Sequence, residues 1–186
     1  MLLKYRKDRG YLMHITRADI GHAKGISRVH IDSWKTTYSG IVPQDYLDQL
    51  DYESREQQWR KNLSVSQVFV AETSGKQVAG FSTGGKERTG NYGDAVGEVY
   101  AIYVLKEYQG RGLGKQLLKP IVDNLQQQDI DELIVLALED NPACGFYKSL
   151  GGKAIGRLEI EIAGTYLGET VFHWKSLKDI RLRIER

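Results

Sequence analysis

A single cysteine, Cys144, in a chain of 186 residues rules out an intramolecular disulfide and any zinc cluster built on cysteines. It is read as a small buried packing residue. The three prolines, Pro43, Pro120 and Pro142, are scattered, and no repeat, low-complexity stretch or Pro/Ser-rich linker divides the sequence. No apolar run approaches the roughly 20 residues that a membrane-spanning helix needs. The charge-rich first ten residues lack the apolar core of a signal peptide. Neither sign of charge dominates: 26 Lys and Arg against 24 Asp and Glu leave a net charge of +2, which gives no ground for a nucleic-acid partner. The histidines, His14, His22, His30 and His173, show no metal-ligand spacing, so no metal is expected. These absences point to a soluble protein of the reducing cytoplasm with no membrane contact.

What is present suits one domain. Hydrophobic residues make up 41% and charged residues 27%, an ordinary globular balance with enough apolar chain for a full core. Basic residues collect at both ends: Lys4, Arg6, Lys7 and Arg9 at one, Arg181, Arg183 and Arg186 at the other. They are read as solvated, giving a loose segment over residues 1–10, a domain over 11–178 and a basic tail over 179–186.

Met13 to Thr16 read as a short strand, and Thr16 with Asp19 has capping-box spacing for a helix to about Trp34. After a turn at Gly40 to Pro43, helical pieces are expected at Gln44 to Leu50 and Ser54 to Leu63. Val68 to Ala71 and Val78 to Thr83 form a hairpin about Ser74-Gly75-Lys76. A Gly-bearing loop, Gly84 to Asp94, leads to the longest strand candidate, Val96 to Val104. Leu113, Leu117, Leu118, Ile121, Val122 and Leu125 mark a helix face, which Pro120 should kink or loosen. A strand at Leu133 to Leu138 and a short helix at Pro142 to Leu150 follow. Strands at Lys153 to Ile162 and Glu169 to Lys175 flank a turn at Ala163-Gly164. The order predicts a mixed α/β sheet.

The most informative stretch is Tyr103-Val104-Leu105-Lys106-Glu107-Tyr108-Gln109-Gly110-Arg111-Gly112-Leu113-Gly114-Lys115, where a strand ends, a Gly-rich turn follows and a helix begins. Backbone N–H groups at a helix start are unpaired and lie at the positive end of its dipole, so an anion such as pyrophosphate fits there. Arg111 and Lys115 can add charge. A Walker loop fails at Gln109 and Gln116, and a dinucleotide fingerprint lacks its third glycine at Lys115. Gln109, Gly112 and Gly114 match in full the acyl-CoA loop of the GNAT superfamily, Gln/Arg-x-x-Gly-x-Gly/Ala.

From about Met13 to Leu177 the chain resembles a GNAT N-acetyltransferase. The resemblance rests on Gly97-Glu98-Val99-Tyr100-Ala101-Ile102-Tyr103-Val104 running into that loop, and on Asp140-Asn141-Pro142-Ala143-Cys144-Gly145-Phe146-Tyr147-Lys148-Ser149-Leu150-Gly151-Gly152. A softer similarity lies in Ser33 to Pro43. The resemblance implies a mixed, mostly antiparallel twisted sheet with helices on both faces and a splayed central strand pair. Its edges, Tyr100 to Val104 and Leu136 to Asp140, would admit the pantetheine arm of acetyl-CoA. It places Tyr103, Val104, Gln109, Gly110, Arg111, Gly112, Leu113, Gly114, Lys115, Asn141 and Phe146 in acetyl-CoA binding, with the N–H near Val104 facing the thioester oxygen. The spacing of Asn141 to Tyr147 is one short of the commonest family pattern, so Asp140 competes for the role of Asn141.

An alkylamine must lose a proton before it can attack, because its pKa lies near about 10.4. The resemblance implies Glu98 as the base, with Glu139 second, and Tyr147 as the group that protonates the departing thiolate. Trp34, Tyr38 and Tyr46 are expected near the acceptor, although aromatics at helical spacing more often build core. Glu159, Glu161 and Glu169 could attract a cationic amine or simply alternate along solvated strands. The expected activity is transfer of an acetyl group to a small-molecule or peptide amine in a ternary complex. A CoA-binding regulatory module without transfer, or a nucleotide-binding protein, remains as the alternative. Homodimerisation is compatible with the resemblance.

Overall fold

The computed structural model describes residues 13–185. The expected loose segment at residues 1–10, with its basic residues, lies outside them. The first strand, β1 (His14–Arg17), pairs antiparallel with β2 (Val68–Glu72), and a single 3-10 turn at Ile20–His22 leads into α1 (Ala23–Thr37). The capping box is Asp19 with His22 rather than Thr16 with Asp19. The Asp19 carboxylate accepts from the Gly21 N–H at 2.8 Å, and His22 Nδ1 accepts from the Asp19 N–H at 3.0 Å. Thr16 cannot serve, because its backbone is committed to the ladder opposite Val70.

The helix α1 ends a turn beyond Trp34, where the chain reverses through Gly40 at φ 78°. Two helices follow, α2 (Gln44–Asp48) and α3 (Tyr52–Val65), the second capped by Asp51, which accepts from the Ser54 N–H at 2.7 Å. Then β3 (Val78–Lys86) and β4 (Val96–Val104) complete an antiparallel run. The helix α4 (Leu113–Gln126) crosses over to β5 (Glu132–Leu138), and α5 (Ala143–Ser149) leads to the hairpin of β6 (Lys153–Ile162) and β7 (Thr165–Trp174). Ala163 and Gly164 both take positive φ, 50° and 79°, as a two-residue hairpin turn requires. Ile162 therefore pairs directly with Thr165, and β7 starts four residues before the expected Glu169. Pro120 does not interrupt α4. Its ring removes one donor, while Leu117, Leu118, Ile121 and Val122 are buried on both sides of it and hold the flanking turns on the sheet.

Among the described residues seven strands run β1-β2-β3-β4-β5-β7-β6, antiparallel except for β4 with β5. Successive residues of β3 meet opposite layers. Phe81 packs against Trp59 of α3, and the Ser82 hydroxyl donates to the Leu117 carbonyl of α4 at 2.7 Å. One helical layer is thus α1 to α3 and the other is α4 with its neighbours.

The expected basic tail is a correction. Leu177–Ile184 form a last helix, α6, whose Leu177, Ile180 and Ile184 are buried in the core with Leu118, Ile121 and Leu125 of α4. Arg181 is not free: its guanidinium donates to Gln126 at 2.9 Å and lies 3.5 Å from Asp123. Among the described residues no helix is long and apolar enough to cross a membrane. Ile180→Ala should cost about 2–5 kcal/mol in urea unfolding, whereas Leu182→Ala, at an exposed position of the same helix, should stay within about 0.5 kcal/mol.

Candidate active site

The ladder between β4 and β5 runs only from Val96–Glu132 to Val99–Val135. Beyond it, five residues of β4 and three of β5 continue without pairing to each other. Hydrogen-bond alternation shows what faces the gap. Leu105 N–H donates to Ala79 O at 2.9 Å across the Gly80–Val104 pair. Val104 is therefore in a non-hydrogen-bonded pair with β3, and its own N–H points toward β5, as does that of Ile102 two residues earlier. On the far edge, Glu139 N–H donates to Gly168 O at 2.9 Å across the Leu138–Glu169 pair. By the same alternation the peptide groups of Leu136 and Leu138 turn toward β4. The expected splayed edges are present, and they expose backbone donors and acceptors to a cleft of about 660 Å3.

At the end of β4 a 3-10 turn, Lys106–Tyr108, leads through Gln109 to Gly112, the N-cap of α4. Gly110 and Gly112 hold φ of 70° and 78°, a region that disfavours any residue with a Cβ. No side chain caps the helix, and among the described residues the N–H groups from Gly110 to Lys115 have no protein partner; the first to be used is that of Gln116, on Gly112 O at 3.2 Å. Such a run of amides at a helix start favours an anion. Gln109 braces the turn by donating from Nε2 to Val104 O at 2.9 Å. Gly114 has a different reason: a Cβ there would stand 3.0 Å from the Phe146 ring. The charged ends of Arg111 and Lys115 both lie against protein groups. The Arg111 guanidinium lies 5.8 Å from the Tyr108 ring centroid, and Lys115 Nζ donates to Arg183 O at 2.8 Å. Lys106, not singled out from the sequence, lines the cleft together with Lys115, whereas Arg111 does not.

Asn141 is buried on the cleft wall, and Asp140 is exposed and off it. The Asn141 carboxamide accepts from the Ala143 N–H at 2.9 Å and donates to the Tyr38 hydroxyl at 3.2 Å. Tyr38 in turn hydrogen-bonds to the Tyr103 hydroxyl, which also accepts from Trp34 Nε1 at 2.9 Å. Burial raises the pKa of Tyr38 and Tyr103, so both stay neutral. Behind them His30 stacks on Tyr103, ring centroids 5.1 Å apart; burial, with help from Arg55, pushes its pKa down to about 3. His30 is thus a neutral packing group. Tyr38 and Tyr103 reach the cleft, while Trp34 supports Tyr103 from behind.

Tyr147 and Phe146 line the cleft from α5. Burial, reinforced by Tyr103, raises the pKa of Tyr147, and its hydroxyl has no hydrogen-bond partner among the described residues. Glu98 is not on the cleft wall. It is buried, and its carboxylate is held by the Arg88 guanidinium through both oxygens and by the Arg88 N–H at 3.2 Å. Arg88 also covers the Tyr100 ring at 4.3 Å. Glu139 is paired with exposed Arg157 at 3.0 Å. Neither expected base is free. Cys144 is buried, as expected. A wider groove of about 1120 Å3 lies over α1, α3 and β1 to β3. There Arg28 donates to Val78 O at 2.8 Å, and His22 sits between Asp19 and Glu72.

The sequence and the fold have counterparts among known proteins. Residues 30–152 match the Acetyltransferase (GNAT) family. The chain is 35% identical over 175 residues to the uncharacterized N-acetyltransferase YuaI of Bacillus subtilis, covering 94% of this chain and 100% of that protein. An N-acetyltransferase from Staphylococcus aureus superposes with a TM-score of 0.68 at 20% identity, covering 89% of this chain and 98% of the other. YncA of Salmonella typhimurium, solved with acetyl-CoA, superposes with a TM-score of 0.66 at 21% identity, covering 89% of this chain and 94% of the other. At these identities the two structures speak for the fold. With the family match over most of the chain and the full-length relative, they establish that the chain belongs to the GNAT family of acetyltransferases.

Proposed function

We propose that this protein transfers an acetyl group from acetyl-CoA to an amine by direct attack within a ternary complex. The observation that carries the reading is the gap between β4 and β5, whose unpaired amides continue into the free amides of Gly110 to Lys115. A pantetheine arm carries amides that pair with strand edges, and a pyrophosphate suits a helix start. The donor set therefore fits acetyl-CoA, which would supply the activated acetyl group.

The chain's own groups divide the work. The N–H groups from Gly110 to Lys115 grip the pyrophosphate, and Ile102, Val104 and Leu136 take the pantetheine as an extra strand. The Val104 N–H points into the gap and would hold the thioester oxygen, where charge develops as the nitrogen attacks. Asn141 fixes Tyr38 with one end of its carboxamide and the start of α5 with the other. Tyr147, kept protonated by burial, donates to the thiolate that leaves. No cysteine or serine attack is required. The acceptor is an amine of a small molecule or a peptide.

Gly112→Glu combines an unfavourable φ with a negative side chain at the anion site. It should weaken acetyl-CoA binding at least about tenfold, or about 1.4 kcal/mol, in titration calorimetry; unaltered affinity would remove the basis of this assignment. Tyr147→Phe should lower kcat by about 10²-fold or more while the acetyl-CoA Kd stays the same, measured by thiol release across a panel of amines. The sign of the Tyr147 shift sets a pH expectation. A tyrosine raised above its ordinary value of about 10 remains a donor up to that pH, so kcat should show no alkaline decline before it.

A further inference from the structure

The acceptor side of the cleft lacks an evident proton acceptor, because Glu98 is enclosed by Arg88 and Glu139 is held by Arg157. One nearby carboxylate is uncommitted. Glu169 of β7 has no hydrogen-bond or ion-pair partner among the described residues, yet it is half-buried. Its register explains why. Glu169 stands opposite Leu138, and directly opposed residues point to the same face. Leu167, two residues earlier in β7, shares that face too. Leu138 and Leu167 both belong to the apolar cluster that contains Tyr38, Trp34 and Tyr103. Glu169 is thus carried on the α1–α2 side of the sheet, at the rim of the unpaired end of β5. Its charge acts on the hydroxyls of both Tyr38 and Tyr103. Glu159 and Glu161, the other glutamates of the hairpin, lie on exposed β6.

We propose that Glu169 is the residue that recognises the acceptor, binding a primary alkylammonium and taking its proton. This rests on the acetyl-transfer reading and names its substrate class. A half-buried carboxylate without a partner is unfavourable alone and becomes satisfied when a cation arrives. The groups whose charges reach it are Glu98, Arg88, Tyr38 and Tyr103. Arg88 is committed to Glu98, and the tyrosines are neutral. Burial, followed by the neighbouring charge of Glu98, raises the pKa of Glu169, which makes it a better proton acceptor than a solvated glutamate.

The step balances. The ammonium gives one proton to Glu169, and the freed lone pair forms the bond to the thioester carbon. The carbon–sulfur bond then breaks, its electron pair leaving on sulfur. Tyr147 protonates that sulfur and regains a proton from the acylated nitrogen, while Glu169 returns its own to water. The walls restrict the acceptor further. The Glu169 carboxylate disfavours an amine bearing its own carboxylate, and Tyr38, Leu138 and Leu167, clustered on the same face, favour an apolar or aromatic body.

Thiol release from the full chain should therefore be faster with phenethylamine than with phenylalanine at equal concentration, by tenfold or more in kcat/KM. Glu169→Gln should raise the KM for the preferred alkylamine at least tenfold and lower kcat, with the acetyl-CoA Kd from calorimetry unchanged. Glu169→Asp should recover part of the activity, and Glu161→Gln on the exposed strand should behave as wild type. Unchanged kinetics in Glu169→Gln, or a preference for α-amino acids, would overturn the assignment while leaving acetyl transfer intact. A wild-type chain that fails to bind acetyl-CoA would instead remove the reading beneath it. Binding of acetyl-CoA with inertness toward every alkylamine would overturn the role of Glu169.

Discussion

The early end of the β4–β5 ladder is the constraint on which the site depends. Every other neighbouring pair of strands is antiparallel, and the sheet is closed by hairpins or by the return of β7 beside β5. Between β4 and β5 alone a parallel pairing forms and then fails after Val99 and Val135. Peptide groups left unpaired in a sheet interior are costly unless something else meets them. A parallel connection also needs a crossover, and here that crossover is α4. The helix consequently starts where β4 stops, which sets its unpaired amides at the mouth of the gap. One topological fact supplies both the slot and the run of unpaired amides at its mouth.

The two sides of the slot are made from different material. On one, α4 and α5 present backbone amides, Phe146 and Tyr147. On the other, α1 presents Tyr38, and beyond it the apolar cluster of Tyr38, Leu138 and Leu167 extends on the same face as Glu169. The hydrogen bond between Asn141 and Tyr38 spans 103 residues of sequence and ties the two together. His30, Trp34 and Tyr103 form the packed support behind it, so the aromatic residues of α1 act largely by fixing the geometry of others.

Much of this was legible in the sequence where a local rule had no competitor. The strand, Gly-rich turn and apolar helix face around Gly110 and Gly112 read correctly, because positive φ and helical periodicity are local properties. The splay was implied by resemblance and could not be read from the residues, since nothing in Tyr100 to Val104 says that a neighbouring strand turns away. Elements were misjudged where charge masked periodicity. Arg181 and Arg183 hid the i, i+3, i+7 pattern of Leu177, Ile180 and Ile184, which buries α6. Glu98 was placed on the correct strand, but its enclosure depends on Arg88 at the far end of β3, a contact made by hairpin register. The glutamates of the last hairpin looked equivalent in sequence. Only the register opposite Leu138 separates Glu169 from its solvated neighbours.

The free amides from Gly110 to Lys115, and those of Ile102 and Val104, belong to the main chain, so they survive almost any side-chain replacement that preserves the two glycine conformations. A site with this construction lets one half drift while the other keeps its ligand. Under the proposed function, side chains on α1 and the closing hairpin can be exchanged to suit a new nucleophile without disturbing how the acyl donor is held. Divergent sequences can thus keep a common reaction while choosing different recipients.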